Sequence, residues 1–337
     1  LVKEGLKRIH HTKNIGMQAL IAACGMHPAD ISAYHFGFVL GPCVNATGRL
    51  DTARNALKLF QTEDEGGARD TAEMLVALNE ERKAMTVAGV EQAQKMIAAG
   101  NYEKDPILVV FLPDVHESIA GLIAGRLRES YGRPVFVLTR GEEGVKGSGR
   151  STEEYSMYEE MCKCSDLFTR FGGHPMAAGL SLPEENVTAF RKRINQICSY
   201  TVEELEPRLH IDMQMPVGYV TTELVTEFSC LAPFGKDNTK PLFADKNLRV
   251  RRMWVVGKNR NVLRLQMVSA YGECISVVYF GDISRLQSYL TEKFGKSEVD
   301  AAMLGRENGI LLSMVYEPKI DTYRDNESLQ FEMKDYR

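Results

Sequence analysis

A long stretch without helix-breaking residues constrains the fold of this chain more than any other feature. Residues 68–99 contain no proline, and Gly89 is the only glycine among them. Apolar residues recur there at broadly helical spacing, and charged residues at positions 80–83 interrupt them midway. About 30 residues at a rise of 1.5 Å make a rod of roughly 45 Å. A helix of that length with a polar middle predicts a connector between two domains, over residues 66–100.

The residues that follow this helix alternate between strand and helix patterns. Residues 107–112 and 134–139 are apolar runs of strand length, and residues 118–131 between them carry an apolar helical face. Strand–helix–strand order predicts two parallel strands joined by a right-handed crossover. Residues 101–204 are therefore expected to form an α/β domain that binds ligands beyond the carboxyl ends of its strands. His116 follows the first strand and is expected either in that cleft or as a cap of the helix.

Two glycine-rich segments of this α/β region predict a phosphate site. The first segment contributes Lys146, Gly147, Ser148, Gly149, Arg150 and Ser151. The second contributes Gly172, Gly173 and His174. Glycine lets a backbone approach an anion, and hydroxyl, guanidinium and ammonium groups all bind phosphate. We expect both segments on loops of one cleft, with the His174 imidazole near a phosphate; two glycine turns with a serine cap and a buried histidine are the alternative.

The C-terminal part of the chain has the pattern of a small β-barrel. Short strands are predicted at residues 208–213, 248–256, 262–267, 274–279 and 310–316, with a helix at residues 281–290. Five short strands and one inserted helix are typical of an OB-like barrel, here over residues 205–320. The polar residues 321–337 are expected to form a loose tail or an edge.

Basic residues concentrate in this barrel. Residues 246–264 include seven basic side chains and no acidic one, and they surround the only tryptophan, Trp254. Basic strands with an interleaved aromatic are typical of a groove for single-stranded nucleic acid. The predicted groove residues are Trp254, Arg249, Arg251, Arg252, Arg260 and Arg264. The alternative is that Trp254 belongs to the core and that the basic side chains are simply solvated.

Residues 1–65 do not have the pattern of a whole domain, and we expect them to be the end of one. Residues 45–51 are predicted to form a turn that leads into a helix from about residue 52. Asn45 and Arg49 are then candidates for binding a polar ligand at the helix start. The alternative is that Asp51 caps the helix and Arg49 is solvated.

Composition limits the classes of protein that this chain can represent. Its 337 residues are 44% hydrophobic and 26% charged, which is ordinary for a globular chain of two or three domains. No apolar run has the length of a membrane helix, and we expect no membrane partner. The seven scattered cysteines predict reduced thiols and a cytoplasmic location. The net charge of −4 means that nucleic-acid binding has to come from local basic patches.

Several segments together resemble the RecJ single-strand-specific DNA exonucleases. Residues 45–50, Asn-Ala-Thr-Gly-Arg-Leu, resemble the NAAGR-type segment of that family, and residues 115–127 are similar to its WHxGVIGIVASRL segment. Residues 147–151 (GSGRS) and 171–179 (FGGHPMAAG) match signatures of the DHH-associated domain. Residues 231–243 resemble the LxPFGxxNPxPxF segment that enters the family's OB domain. The similarity covers nearly the whole chain in the family's order.

The resemblance implies a specific fold. The expected class is α/β, with the end of a DHH domain (1–65), the connector helix (66–100), the DHH-associated domain (101–204) and the OB-like barrel (205–320). Two positions depart from the pattern, since Val115 replaces the usual tryptophan and Ser118 the usual glycine. The expected position of His116 therefore depends on the local geometry.

The resemblance also implies a reaction, the stepwise hydrolysis of single-stranded DNA from a 5′ end in repair and recombination. Ser148 and Arg150 would hold the terminal 5′-phosphate, His174 would face the scissile phosphate, and Arg49 would line the opening for the strand. Two Mn²⁺ or Mg²⁺ ions would be held by a DHH triplet and further aspartates of the N-terminal domain. No Asp-His-His triplet occurs in this sequence. We therefore expect this chain to bind no catalytic metal and to be inactive alone.

The expected partner is single-stranded DNA, with a single-strand-binding protein or a helicase as further candidates. Two other functions stay open. A smaller DHH phosphodiesterase acting on cyclic dinucleotides or very short RNA would share the Gly-Gly-His domain but would lack the basic barrel. A single-strand-binding module without catalysis is the second alternative.

Overall fold

A computed structural model describes residues 1–50, 52–100, 102, 104–142, 144–205, 208–257, 260–321 and 327–337. The chain divides into two compact units, Leu1–Arg208 and Leu209–Arg337. The first unit combines helices with a mixed sheet, and the second is built on a ring-like sheet. The expected α/β class, with an α/β domain followed by a small barrel, is confirmed. No helix in the described residues has the length and apolar character needed to cross a membrane.

The first unit begins with a layer of helices. They are α1 (Val2–Ile9), α2 (Ile15–Ala23), α3 (Ala33–His35), α4 (Gly41–Leu50), α5 (Ala53–Gln61) and α6 (Glu65–Ala99), with a π-helical turn at Phe36–Leu40 before α4. The predicted turn at residues 45–51 is wrong up to Leu50, because those residues continue α4. Proline is tolerated in the first turn of a helix, so Pro42 does not stop the chain from starting α4 there. Asp51 lies outside the described residues, and the Thr52 side chain caps α5.

Helix α6 has the length that the sequence predicts. Asp64 caps it by accepting hydrogen bonds from the amides of Gly66 and Gly67. Its first half packs into a core with α2, where Leu75 and Leu20 are fully buried. Its second half packs into a different core, through Ala93. The connector is therefore a helix whose two halves belong to two cores.

A five-stranded mixed sheet forms the rest of the first unit. Its strands are β1 (Leu108–Phe111), β2 (Val135–Gly141), β3 (Gly144–Arg150), β4 (Arg170–His174) and β5 (Ala177–Leu182), in the order β1-β2-β3-β5-β4. Strands β1 and β2 are parallel, as predicted, and α7 (Glu117–Tyr131) connects them. The other pairs are antiparallel.

Helices cover the two faces of this sheet unequally. On one face, Val135 and Val137 of β2 pack in a core with Ile119 and Ile123 of α7. On the other face, Phe136 packs with residues of α8 (Met157–Cys162) and α9 (Val187–Ile197). On the α7 face, the residues of β4 and β5 are largely exposed. One face of β4 and β5 is therefore open to a ligand.

The second unit is a closed ring of strands. They are β6 (Met213–Gln214), β7 (Phe243–Val256), β8 (Val262–Val268), β9 (Cys274–Tyr279), β10 (Leu311–Asp321) and β11 (Ser328–Tyr336), accompanied by α10 (Thr222–Glu227), α11 (Ile283–Phe294) and α12 (Lys296–Met303). Strand β10 pairs with both β11 and β7 and so closes the ring. Alternate residues point inward, such as Leu263, Leu265 and Met267, and these are fully buried.

Two details of the barrel differ from the sequence predictions. The expected tail is wrong, because β11 pairs with β10 and β9 and buries Phe331 and Met333. Apolar residues alternate with charged ones along β11, as expected for a strand with one face on the core and the other in solvent. The high content of charged residues made this strand look like a polar tail in the sequence. The strand predicted at residues 208–213 is also wrong, since the paired residues there are only Met213 and Gln214.

Candidate nucleic-acid interface

The two glycine-rich segments are strands and not loops. The first segment lies mainly in β3 and the second in β4, and both strands pair with β5. Because β3 lies between β2 and β5, the sheet uses its backbone N–H groups. Phosphate contacts on β3 must therefore come from side chains, and the predicted cradle of backbone amides on loops is wrong for this segment.

The strand register nevertheless places both segments on one face of the sheet. Residues directly opposite each other in antiparallel strands point to the same side. Three rows cross β3, β5 and β4, namely Lys146–Ser181–Arg170, Ser148–Gly179–Gly172 and Arg150–Ala177–His174. The middle row carries a single side chain, that of Ser148. Basic side chains lie in the row on one side of it, and Arg150 and His174 lie in the row on the other side. This is also the face that α7 covers over β2.

The glycines of these strands are of two kinds. A Cβ at Gly147 would lie 2.4 Å from Leu138 Cδ2, and one at Gly149 would lie 2.3 Å from Met157 Sδ. These two glycines serve close packing of the buried face, and so does Gly173, where a Cβ would lie 2.4 Å from a backbone oxygen. A Cβ at Gly172 would instead meet no atom within 4 Å.

Gly179, opposite Gly172, is equally unconstrained by packing. A Cβ there would meet only the Gly147 carbonyl oxygen, at 3.9 Å. Packing therefore explains neither Gly172 nor Gly179, and both leave bare backbone on the open face. A ligand can approach the strands most closely at this row.

Arg150 is held half-buried at the edge of this face. Its Nη1 donates to the Gly149 carbonyl at 2.7 Å. The guanidinium lies over Gly121 of α7, where a Cβ would come within 2.7 Å of Nη2. Burial lowers the pKa of Arg150, and the nearby charges of Arg49 and Arg128 lower it further. Arginine stays protonated at neutral pH, so the lowered pKa reports a positive charge that is partly withdrawn from water and, to a smaller extent, repelled by its neighbours.

Further arginines extend this charge along the groove between α6 and α7. A pocket of about 880 Å³ there is lined by Arg82, Arg126, Arg128 and Arg150. The pKa of Arg82 is lowered by burial first and then by the charge of Arg49. We call Arg49, Arg82, Arg126, Arg128 and Arg150 the arginine cluster.

Neutral groups satisfy most of the hydrogen bonds of the arginine cluster. Arg49 donates to the Ser118 carbonyl at 2.5 Å, and Arg82 donates to Asn79 Oδ1 at 2.9 Å. Arg128 approaches Glu129 at 3.6 Å. Because carbonyl and amide oxygens cancel no net charge, the cluster favours an anion in the groove.

Three members of the arginine cluster were not predicted from the sequence. Arg82, Arg126 and Arg128 are distant from Arg49 and Arg150 along the chain, so no local pattern marks them. Arg126 does lie within the segment 115–127, which resembles the exonuclease family. That resemblance is the sequence signal that could have identified Arg126 as a site residue.

The other predicted residues of the first unit have different surroundings. His174 is exposed, and its Nδ1 accepts from the Met176 amide at 3.3 Å. His116 caps α7 by accepting from the Ser118 amide, as the capping alternative predicts. Lys146 pairs with Glu117 at 2.7 Å, and Asn45 is exposed on α4.

Ser151 is the predicted residue least accessible to a ligand. It is 1% exposed, and its hydroxyl donates to the Tyr155 carbonyl at 2.6 Å. Its predicted phosphate contact stays a prediction, and we leave it out of the site proposed below.

In the second unit, Trp254 lies on the outer face of β7. Its neighbour Met253 is fully buried in the core, and the alternation along β7 turns Trp254 outward, opposite Arg264 of β8. The Arg252 guanidinium lies 5.4 Å from the Trp254 ring, in a cation–π contact. The alternative that Trp254 is a core residue is wrong. Arg260 follows β7 in a turn, with a φ of 51°.

Two remaining groove residues lie toward the other end of β7. Arg249 and Arg251 are exposed there, beside a pocket of their own. The six predicted groove residues are thus distributed over β7, β8 and the turn between them.

Among the described residues, no group of three or more histidine, cysteine, aspartate or glutamate side chains is arranged to hold a metal ion. Two divalent cations need several carboxylates, and the open face offers arginine, lysine and serine instead. The described residues do not fit a two-metal centre.

Family models match both units. The model for the DHHA1 domain matches residues 104–199, and the model for the RecJ OB domain matches residues 211–335. These ranges contain the glycine-rich face and the barrel, respectively.

Relatives are similar over almost the whole chain. The single-stranded-DNA-specific exonuclease RecJ of Bacillus subtilis is 29% identical over 98% of this chain and 40% of its own length. The RecJ of Escherichia coli is 28% identical over 98% of this chain and 56% of its own length. The RecJ of Thermus thermophilus is 31% identical over 72% of this chain and 35% of its own length. The chain thus spans about half the length of these relatives, or less.

A solved structure has the same fold. The crystal structure of RecJ from Thermus thermophilus in complex with Mg²⁺ has a TM-score of 0.80 at 23% identity, over 100% of this chain and 48% of that one. The sequence relatives, both family models and this fold agree along the chain. It therefore belongs to the RecJ family of single-stranded-DNA-specific exonucleases, with a DHHA1 domain followed by a RecJ OB domain.

Proposed function

We propose that this chain is the strand-binding part of a 5′-to-3′ single-stranded-DNA exonuclease that acts in DNA repair and recombination. The proposal rests mainly on one observation. In the strand register, the middle row of the open face, which contains Gly172 and Gly179, lies next to the row of Arg150. Arg150 belongs to the arginine cluster, and its guanidinium is half-buried. A flexible polyanion, such as a single nucleic-acid strand, matches the positive charge of this site better than most other ligands do.

The face has positions for two phosphates. Arg150 and Ser148 are proposed to hold a terminal 5′-phosphate, because a guanidinium fork and a hydroxyl are strong phosphate donors. His174 lies two strands away in the Arg150 row, which is about 9.5 Å at the usual strand spacing. It is proposed to donate to the scissile phosphate. Lys146 and Asn45 are proposed to contact the strand at the edge of this site, away from the two phosphate positions.

The arginine cluster is proposed to guide the strand toward that face. Arg126 and Arg128 line the groove between α6 and α7 together with Arg150, and the charge of Arg49 also acts on Arg150. The outer face of β7, with Trp254 and Arg252, is proposed to hold a more distant part of the same strand by stacking and charge.

Mn²⁺ or Mg²⁺ is proposed as the cofactor of the complete protein. The support is that RecJ from Thermus thermophilus has crystal structures in complex with Mg²⁺ and with Mn²⁺. Because the described residues fit no two-metal centre, we propose that the ions are held outside this chain and that the chain alone does not hydrolyse DNA. A cytoplasmic location is proposed from the seven free thiols.

Binding measurements test this proposal directly. Fluorescence anisotropy is expected to show tighter binding of this chain to a 5′-phosphorylated single strand than to a duplex. Arg126→Ala is expected to weaken binding about tenfold, because a hydrogen bond to a charged group contributes about 1.5–3 kcal/mol. Arg69→Ala is the matched control, since Arg69 is exposed near the start of α6. Equal affinity for duplex and single strand would contradict the proposal.

The alternatives predict different results in the same assay. A phosphodiesterase acting on cyclic dinucleotides would bind those ligands more tightly than it binds a long strand. The basic outer face of β7 favours the long strand. A module without catalysis would bind the strand equally well but would stay inactive within the complete protein. A single-strand-binding protein or a helicase remains a proposed partner of that complete protein.

A further inference from the structure

A second basic pocket lies in the barrel, beside the part of β7 that contains Arg249 and Arg251. It has a volume of about 640 Å³, and its lining includes Arg249, Arg251, Arg306, Val268 and Leu311. Arg249 begins the outward-facing part of β7, and Trp254 lies five residues further along, about 17 Å away at the usual rise of a strand. Neither Trp254 nor Arg260 lines the pocket. Arg252 connects the pocket to the tryptophan, because it packs near Gly305 and over the Trp254 ring.

The charges of this pocket are unbalanced. In the described part of the chain, no carboxylate pairs with Arg249, Arg251 or Arg306, and all three side chains are exposed. Glu307 is the one acidic residue in the lining. Three guanidiniums around one concave surface raise the local concentration of an anionic ligand.

Hydrogen-bonded turns hold both walls of the pocket. On one wall, the Arg306 amide donates to the Ala301 carbonyl at 2.8 Å, and Asn308 Nδ2 donates to the Arg306 carbonyl at 3.1 Å. The Gly309 amide donates to Glu298 Oε2 at 2.5 Å. Arg306 is therefore presented on a loop that is already ordered, which lowers the entropic cost of binding.

The opposite wall is the turn between β8 and β9. The Ser269 amide donates to the Glu273 carbonyl at 2.9 Å, and the Ser269 hydroxyl donates to the Glu273 carboxylate. Tyr271 at the tip of this turn is 80% exposed. An exposed aromatic ring beside a basic pocket is a platform on which a nucleobase can stack.

The floor is apolar, which restricts the class of ligand. Leu311 and Val268 flank Arg249 in neighbouring strands, and Leu311 is 44% exposed. Inorganic phosphate would use the arginines and leave this apolar floor in water. A nucleotide would use both surfaces, with its phosphate on the guanidiniums and its base over Leu311 or Tyr271.

We propose that this pocket binds a phosphate-bearing nucleotide of a single strand, and that the strand crosses the barrel lengthwise along the outer side of β7 to Trp254. The proposal rests on the proposed function, because it supplies a second contact for the same ligand. It adds Arg306 and Tyr271, which lie outside the basic stretch of residues 246–264.

The salt dependence of binding tests the proposal. Anisotropy with an oligothymidine long enough to span β7 is measured over a range of salt concentrations. Arg251→Ala and Arg306→Ala are each expected to reduce the slope of log K against log salt by about 0.7, the value for one lost phosphate contact on a single strand. Lys296→Ala is the matched control, because Lys296 is an exposed cation at the other end of α12. Its slope is expected to equal that of the unaltered chain.

Tyr271→Ala separates stacking from charge. It is expected to weaken binding about fivefold or more at every salt concentration and to leave the slope unchanged. Melting temperatures of all variants are expected to match that of the unaltered chain, because each side chain is exposed. Unchanged slopes in both arginine variants would overturn the pocket while leaving the proposed function intact. Failure of the unaltered chain to bind any single strand at low salt would instead remove the proposed function itself.

A direct titration distinguishes the occupants. Thymidine 5′-monophosphate is expected to shift the amide resonances of Gly272 and Gly305, which line the pocket, and Arg306→Ala is expected to abolish those shifts. Shifts caused by a glutamate-rich peptide but not by the nucleotide would overturn the proposal in favour of an acidic protein partner.

Discussion

At the scale of single residues, Arg150 has a position that suits recognition of a phosphate. Glu153 and Glu154 are the acidic residues nearest to Arg150 along the chain and are therefore its candidate ion-pair partners. The structure gives different contacts, since Arg150 bonds the Gly149 carbonyl and Glu154 lies 3.6 Å from Arg208. The guanidinium therefore remains available for an anion that approaches from the open face.

Arg150 is predicted to read the 5′ end of the strand. In the complete enzyme, Arg150→Ala should lower kcat/KM on 5′-phosphorylated strands by about tenfold or more and leave 5′-hydroxyl strands much less affected. A guanidinium can make two parallel bonds to a terminal phosphate, so Arg150→Lys should not restore the preference. His174→Ala should slow both substrates equally. Equal losses on both substrates for Arg150→Ala would show that this residue does not recognise the end.

The two kinds of glycine give a second prediction, with each variant serving as the control for the other. Gly147→Ala should destabilise the fold by about 1–3 kcal/mol, because the new methyl group collides with Leu138 in a packed core. Gly172→Ala should leave the melting temperature nearly unchanged, because open space surrounds that position. It should nevertheless weaken single-strand binding. A Gly172→Ala protein with full affinity would show that the ligand does not approach this row.

At the scale of elements, β7 combines core residues with four basic side chains, Lys246, Arg249, Arg251 and Arg252. Its inward residues, such as Leu248 and Met253, belong to the core, and its outward residues, such as Arg252 and Trp254, meet solvent. One strand therefore supplies both the stability of the barrel and a surface for a ligand. Substitutions on its outer face should separate the two effects.

Trp254 provides the spectroscopic test of that separation. Because it is the only tryptophan in the chain, intrinsic fluorescence reports on this side chain alone. Single-stranded DNA should quench that emission, and Trp254→Ala should cost about 1–3 kcal/mol of binding free energy for each stacked base. The melting temperature should change little. Emission that does not respond to saturating DNA would place the strand elsewhere on the barrel.

How much the sequence could predict depends on how locally each element is determined. Helix α6 and strand β9 were predicted within about a residue, because α6 is a long run with no proline and few glycines and β9 is a short apolar run of strand length. The strand state of β3 and β4 was not predicted, since glycines favour turns locally. Packing of Gly147 and Gly149 against Leu138 and Met157 decides their conformation, and that contact is not visible in a local pattern.

The candidate site was predicted in the same uneven way. Ser148, Arg150 and His174 stood out because they are embedded in short motifs. Arg82 and Arg128 did not, because they join Arg49 only when α4, α6 and α7 pack together. A cluster assembled by tertiary structure leaves no spacing signature in a single sequence.

At the scale of the whole molecule, the surfaces proposed to hold a strand belong to a chain whose described residues form no metal-binding cluster. Binding and hydrolysis should therefore depend differently on divalent ions. Single-strand binding by this chain should be unchanged by a chelator at constant ionic strength, whereas hydrolysis by the complete enzyme should stop. Loss of binding with the chelator, and its return on adding Mn²⁺, would contradict the placement of the ions outside this chain.

The repulsion within the arginine cluster has a consequence for the folded state itself. Arg150 is half-buried beside Arg49 and Arg128, and bringing these like charges together opposes folding. An anion bound among them reduces that opposition, and ligand affinity for the native state adds directly to the free energy of unfolding. We therefore expect the protein to be least stable when its groove is empty, and its conformational stability in a given buffer to depend on the anions that the buffer contains.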